Sequence, residues 1–227
     1  MAEGFTIVVE VVPPAGSDAE PVLAQLEGLA DLAVDGFSVA TNPVAKPRMN
    51  ALAMCALIQA RTSRPATLHC TTRDHNRLSL QGLLWGALAL GLESVLVTTG
   101  DFVALEQQGT TTTVRDVNTF DLIRMAREAG LRTGVVFDPY GPPGGFTAAT
   151  QRLIRKAEAG AQYVITQPVY DDAGVEALGE ATAGSAAGRY DAVLSGNRPY
   201  MGRRSASKPR KALWRSSVRW TGCERKA

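Results

Sequence analysis

What constrains this chain most is a rhythm. Six short apolar runs, each rich in β-branched or small residues, alternate with helix-forming stretches, and no antiparallel hairpin signal lies between them. The runs are Phe5 to Val12, Phe37 to Ala40, Ala66 to Thr71, Ser94 to Thr98, Thr133 to Phe137 and Gln162 to Ile165. Between them fall a helix with Leu23, Leu26 and Leu29 on one face, then Ala51 to Gln59, Leu78 to Leu90, Thr119 to Glu128 and a helix ending at Gly160. Such alternation calls for a parallel sheet covered by helices. No GxGxxG follows any strand, which disfavours a Rossmann sheet, so the expectation is an α/β fold of TIM type, a (β/α)8 barrel. Residues 191–195, DAVLS, are the last candidate strand, so the barrel is read as incomplete, with about six to seven βα units.

Each run also ends in a polar group. Glu10, Thr41, His69 with Asp74, Asp101, Asp138 and Gln167 stand at or just past the carboxyl ends of the six strands, whose bodies are nearly free of charge. In barrels of this kind the catalytic groups sit at those ends, so the six positions should converge on one site. Tyr170 and Asp171 follow Gln167 and extend the same polar cluster.

Glu10 interrupts FTIVVEVV just before Pro13 and Pro14, in a strand expected to be buried on both faces. A carboxyl there should be partly desolvated, which raises its pKa and suits it to general acid work near neutral pH; the bland reading is a Glu paired structurally with a buried Arg. His69 alone reads equally well as a satisfied core histidine. Arg73, Asp74, His75 and Asn76 could be no more than a loop and N-cap, with Asn76 as the cap. Ser17 and Glu20 have capping-box spacing, Gly91 suits the end of the third helix, and Met49 and Met54 read as core. GPPGG at 141–145 reads as a turn, since no GxxxxGK pattern accompanies it.

Composition adds a boundary. Residues 1–190 carry 14 Lys and Arg against 20 Asp and Glu, whereas residues 191–227 carry 10 against 2 and hold two of the three tryptophans. The body is read as the barrel domain, 1–190, and the remainder, 191–227, as a basic, poorly ordered tail. A charge run is usually solvated, so nucleic acid is not the expected partner. Cys55, Cys70 and Cys223 form no CxxC pair and show no metal spacing, which suits a reduced, cytoplasmic protein with no metal site. No apolar run is long enough to suggest a membrane span.

The ordered set VVEVVPP at 8–14, LHCTTRDHN at 68–76, LQGLLWGALALGLESVLVTTGD at 80–101 and RKAEAGAQYVITQPVYD at 155–171 resembles the methylenetetrahydrofolate reductases. The resemblance covers roughly residues 5–175. It implies a flavoprotein barrel that binds FAD without a Rossmann motif and takes electrons from NADH or NADPH. It would reduce 5,10-methylenetetrahydrofolate to 5-methyltetrahydrofolate in one-carbon and methionine metabolism. Carried over by position, Glu10 would be the general acid and Asp101 a catalytic group beside flavin and folate. Thr41, His69, Asp101 and Lys156 would contact FAD, and Gln167 would hydrogen-bond the folate pterin. Two departures stand out: Phe102 and Val103 replace the family's prolines, and Thr99 stands where an arginine is common. From Gly196 onward nothing matches, as if the terminus were replaced or its reading frame disrupted. The alternatives are an inactive truncated barrel and a flavin-free barrel of the pterin-dependent methyltransferase type. An open barrel edge would suit a homo-oligomer or a partner subunit.

Overall fold

The computed structural model describes residues 7–29, 32, 34–105, 108–138, 145–167 and 191–193. Tyr170, Asp171, Cys223, most of GPPGG and the tail after residue 193 lie outside the described residues. The elements run β1 (Val8–Val11), α1 (Glu20–Glu27), β2 (Gly36–Val39), a 3-10 turn (Pro43–Ala45), α2 (Ala51–Thr62), β3 (Ala66–Thr71) and α3 (Arg77–Ala89). They continue with β4 (Ser94–Thr98), α4 (Thr119–Ala129), β5 (Arg132–Phe137), α5 (Gly145–Glu158), β6 (Tyr163–Thr166) and β7 (Asp191–Val193). All seven strands are parallel and pair in chain order, which is the topology of an incomplete α/β barrel. Among the described residues, β1 and β7 each have one strand neighbour.

Asparagine starts three of the helices. Asn50 accepts from the amides of Leu52 and Ala53, Asn76 from Ser79 and Asn118 from Asp121, each satisfying N–H groups that lack an intrahelical partner. The capping box anticipated at Ser17 and Glu20 does not form. Residue 19 is the N-cap of α1 without a side-chain bond, Pro21 sits in the first turn, and the Glu20 amide goes to Asp18 Oδ1 at 3.0 Å. Proline presets the helical φ there and removes a donor, so the helix can start without a Ser cap. α3 closes at Leu90, with Gly91 following, as anticipated.

The sheet's two faces differ. Phe37, Val39, Leu68, Cys70, Val95, Val97, Val135 and Val164 turn towards the helices and are buried with Met54, Ile58, Leu84, Leu122, Ile123 and Leu153. Both described cysteines belong to this layer, where burial pushes their thiols up to about 12. β1 departs from expectation: Val8 and Glu10 are exposed, Val9 is partly buried and only Val11 is buried. It is an edge strand among the described residues, and the face away from the helices opens on a cavity rather than on a second packed layer. No described helix is long and apolar enough to cross a membrane.

Candidate active site

Because every strand runs the same way, the carboxyl ends of β1 to β6 lie together at one end of the sheet. Side chains alternate along each strand, so β3 sends Ala66, Leu68 and Cys70 to the helices and Thr67, His69 and Thr71 to the opposite face. That face lines a basin of about 1140 Å3. Its wall contains Glu10, Thr41, His69, Asp101, Asp138 and Gln167 from the strand ends, together with Lys156 from α5, which the resemblance had pointed to. Asp74 is the exception among them: it is not part of the wall.

The floor is structural. The ring of Tyr163 lies so close to Gly134 that a Cβ there would stand 2.1 Å from two ring carbons, and the phenol donates to the Val95 carbonyl at 2.9 Å. The Arg132 guanidinium sits 4.9 Å from the ring centroid, and the Thr67 and Ser94 hydroxyls share a hydrogen bond of 2.6 Å. Burial pushes the Tyr163 phenol up to about 12, so it remains a donor across the physiological range.

Above the floor, Glu10 pairs in register with Ser38, and the Ser38 hydroxyl meets His69 Nε2 at 2.6 Å. Thr41 Oγ1 donates to the His69 carbonyl at 2.5 Å, fixing the end of β3 against the end of β2. Burial lowers His69 to about 4, so the ring is neutral at physiological pH and has one donor and one acceptor nitrogen. Glu10 keeps much of its side-chain surface open, yet its pKa is raised by desolvation. The two facts agree: the carboxyl faces the cavity, open to solvent on one side while surrounding protein displaces much of its hydration.

The mouth is formed by the loops after β2, β3 and β4. Asp101 Oδ2 accepts from the Val44 amide at 2.5 Å. Asp74 pairs with Arg73, which holds its carboxyl below the usual range despite the opposing effect of burial. His75 bonds Ser79 at the start of α3 and is half-buried, outside the wall. On the opposite side, Lys156 projects from α5 and donates to the Val136 carbonyl at 2.7 Å. Burial, reinforced by the charge of Arg152, lowers Lys156 to about 8. Arg152 and Arg155 also line the basin, making this flank cationic while Glu10 and Asp101 mark the other as acidic. Gln167 is exposed at the rim, its amide tied to the Phe137 carbonyl at 2.8 Å.

Sequence reasoning missed Ser38, Arg152 and Arg155. Arg152 was visible in principle, one helical turn before Lys156. Ser38 shows its role only once β2 lies beside β3. A smaller cavity of about 310 Å3 lies beside α1 and α2, where Arg61 is already paired with Glu20 and Glu27. Among the described residues, no cluster of three or more His, Cys, Asp or Glu could hold a metal ion.

The family described as methylenetetrahydrofolate reductase matches residues 1–182. No curated protein matches the sequence significantly. Among solved structures, one similar chain is a Clostridium thermocellum protein described as uncharacterised and as binding two copies of 5-methyl-5,6,7,8-tetrahydrofolic acid. The TM-score is 0.61 at 16% identity, over 78% of this chain and 60% of that one, so this chain spans less than two thirds of its length. A mutant tryptophan synthase α-subunit from Pyrococcus furiosus has a TM-score of 0.56 at 14% identity, covering 84% of this chain and 78% of that one. At such identities the likeness establishes the fold.

Proposed function

This chain belongs to the methylenetetrahydrofolate reductase family, and from that premise we propose that it reduces 5,10-methylenetetrahydrofolate to 5-methyltetrahydrofolate, using NADH or NADPH and bound FAD. The observation that carries the reading is the basin itself: a carboxyl with a raised pKa, a neutral histidine, an acidic rim and a cationic flank meet at the strand ends of a chain in this family. Its volume exceeds the ~300–1,000 Å3 of ordinary small-molecule pockets, which suits a large cofactor together with a substrate. The folate binding described for the similar Clostridium thermocellum protein supports the substrate class.

The residues present fit FAD. Lys156, with Arg152 and Arg155 beside it, would meet the phosphates as cations; at about 8 its pKa leaves it mostly protonated at pH 7, and a bound phosphate would hold the proton more firmly. His69, steadied by Ser38 and Thr41, would offer a neutral ring to the ribityl hydroxyls. When bound, FAD supplies hydride transfer to the one-carbon unit. Asp101 would place a carboxylate beside flavin and folate, and Gln167 would hydrogen-bond the pterin.

Glu10 would act as general acid. Its raised pKa keeps a larger share of the carboxyl protonated near neutral pH than an ordinary glutamate would have. The proton goes to the bridging nitrogen that leaves as the methylene bridge opens, and the resulting iminium carbon accepts hydride.

The test is a visible absorbance spectrum of the purified chain, followed by anaerobic NADH or NADPH and then methylenetetrahydrofolate. A bound flavin that bleaches and then recovers supports the reaction. A chain that neither copurifies with FAD nor binds added FAD overturns it, and folate binding without flavin would favour the methyltransferase-type alternative.

A further inference from the structure

We propose that Arg73 is a positioning residue that holds Asp101 and the 42–45 turn in place at the mouth of the basin. Its geometry stands by itself; its functional consequence rests on the reading of Asp101 as a ligand contact.

One guanidinium reaches the ends of three strands. The Arg73 side chain is 5% exposed. Nε donates to Asp74 Oδ1 at 2.6 Å and Nη2 to Asp74 Oδ2 at 2.8 Å, a two-pronged pair that neutralises its charge. The remaining donors leave the pair: Nη1 goes to the Asp101 carbonyl at 2.9 Å, after β4, and Nη2 to the Asn42 carbonyl at 3.1 Å, after β2. Asp74 in turn accepts from the Asn42 side-chain amide at 3.1 Å and from Thr71 at 3.3 Å. The Arg73 carbonyl also accepts from the Val114 amide at 2.9 Å.

The backbone on either side is shaped to this side chain. Gly100, at φ +79°, packs directly on it; a Cβ there would lie 3.1 Å from Arg73 Cβ and 3.3 Å from Cζ. Asn42, Val44 and Ala45 have φ of 42°, 51° and 55°, three left-handed residues in one turn, one of them β-branched. Such backbone persists only where its surroundings over-determine it. Here the anchors are Arg73 on the Asn42 carbonyl and Asp101 Oδ2 on the Val44 amide. Arg73 holds the Asp101 backbone, and Asp101 holds the turn. Lysine could keep the charge opposite Asp74, but it lacks the planar fork that reaches two carbonyls at once.

The experiment measures amide hydrogen exchange in the wild-type chain, Arg73→Lys and Arg73→Gln, without any ligand. Positioning by Arg73 predicts that the Val44 amide exchanges about tenfold faster or more in both variants while the Cys70 and Val97 amides keep wild-type rates. A merely structural role would speed all three together and overturn the proposal, as would wild-type protection of Val44 in a folded Arg73→Lys chain. Should neither variant fold, Asp101→Ala carries the test: Val44 must be released with Arg73 intact, and an unchanged rate overturns the proposal. FAD titration of the wild-type chain tests the functional reading separately, because a chain that binds no flavin leaves the Val44 result unaffected.

Discussion

The two faces of one strand divide the work of this molecule. On β3, Leu68 and Cys70 are buried among helix side chains, whereas His69 between them meets Ser38 and faces the basin. The outer face consists of apolar contacts whose loss would open cavities. The inner face consists of polar groups whose hydrogen bonds aim at a ligand space. The contrast teaches that stability and chemistry can be perturbed nearly independently at neighbouring positions, except at the floor, where Tyr163 and Gly134 are inner-face residues with a packing role.

In order of the stability change expected, Leu68→Ala comes first. Removing a fully buried side chain should cost about 2–5 kcal/mol in denaturant unfolding, while FAD affinity of the folded fraction stays near wild type. A loss under about 1 kcal/mol would break the outer-face account. Gly134→Ala probes the exception. The new methyl must displace the Tyr163 ring and its bond to the Val95 carbonyl, so about 3 kcal/mol is expected. Tyr163→Phe, which spares the ring, should cost only about 1 kcal/mol by removing that one hydrogen bond.

The pH dependence sharpens the inner face. His69 has a folded pKa of about 4 against an ordinary 6.5, so protonation favours the unfolded chain. Its contribution is fully present above pH 6.5, is lost progressively as the pH falls, and the loss is complete below about 4, reaching at most roughly 3 kcal/mol. Denaturation midpoints across that window should slope downward towards acid in the wild type and flatten in His69→Gln. Ser38→Ala is the smallest change. It removes one hydrogen bond and should cost about 0.5–1.5 kcal/mol, with a larger proportional effect on FAD affinity than on unfolding.

Much of this arrangement was legible in the chain. The bounds of β3 and β4, the caps at Asn76 and Gly91 and the convergence of strand ends follow from local patterns, because period and capping chemistry are local. β1 was misjudged because VVEVV shows almost no alternation, so Glu10 is the one sequence mark of its exposed inner face. Ser17 and Glu20 have the spacing of a capping box, but Pro21 and Asp18 start the helix instead. Arg73, Ser38 and the Tyr163 contact stayed hidden for a different reason. Their partners lie 28, 31 and 68 residues away, and only the parallel strand order brings them together.

The central claim is that the inner face carries proton and ligand chemistry at little expense to the fold, and Glu10→Gln tests it most directly. The variant should unfold within about 0.5 kcal/mol of the wild type, bind FAD and accept electrons from NADH or NADPH at near wild-type rates. Its reoxidation by methylenetetrahydrofolate, followed anaerobically in a stopped-flow instrument, should slow by about 10²–10⁴-fold, the usual worth of a general acid. Reoxidation at the wild-type rate would contradict the assignment of Glu10 and the division of labour built on it.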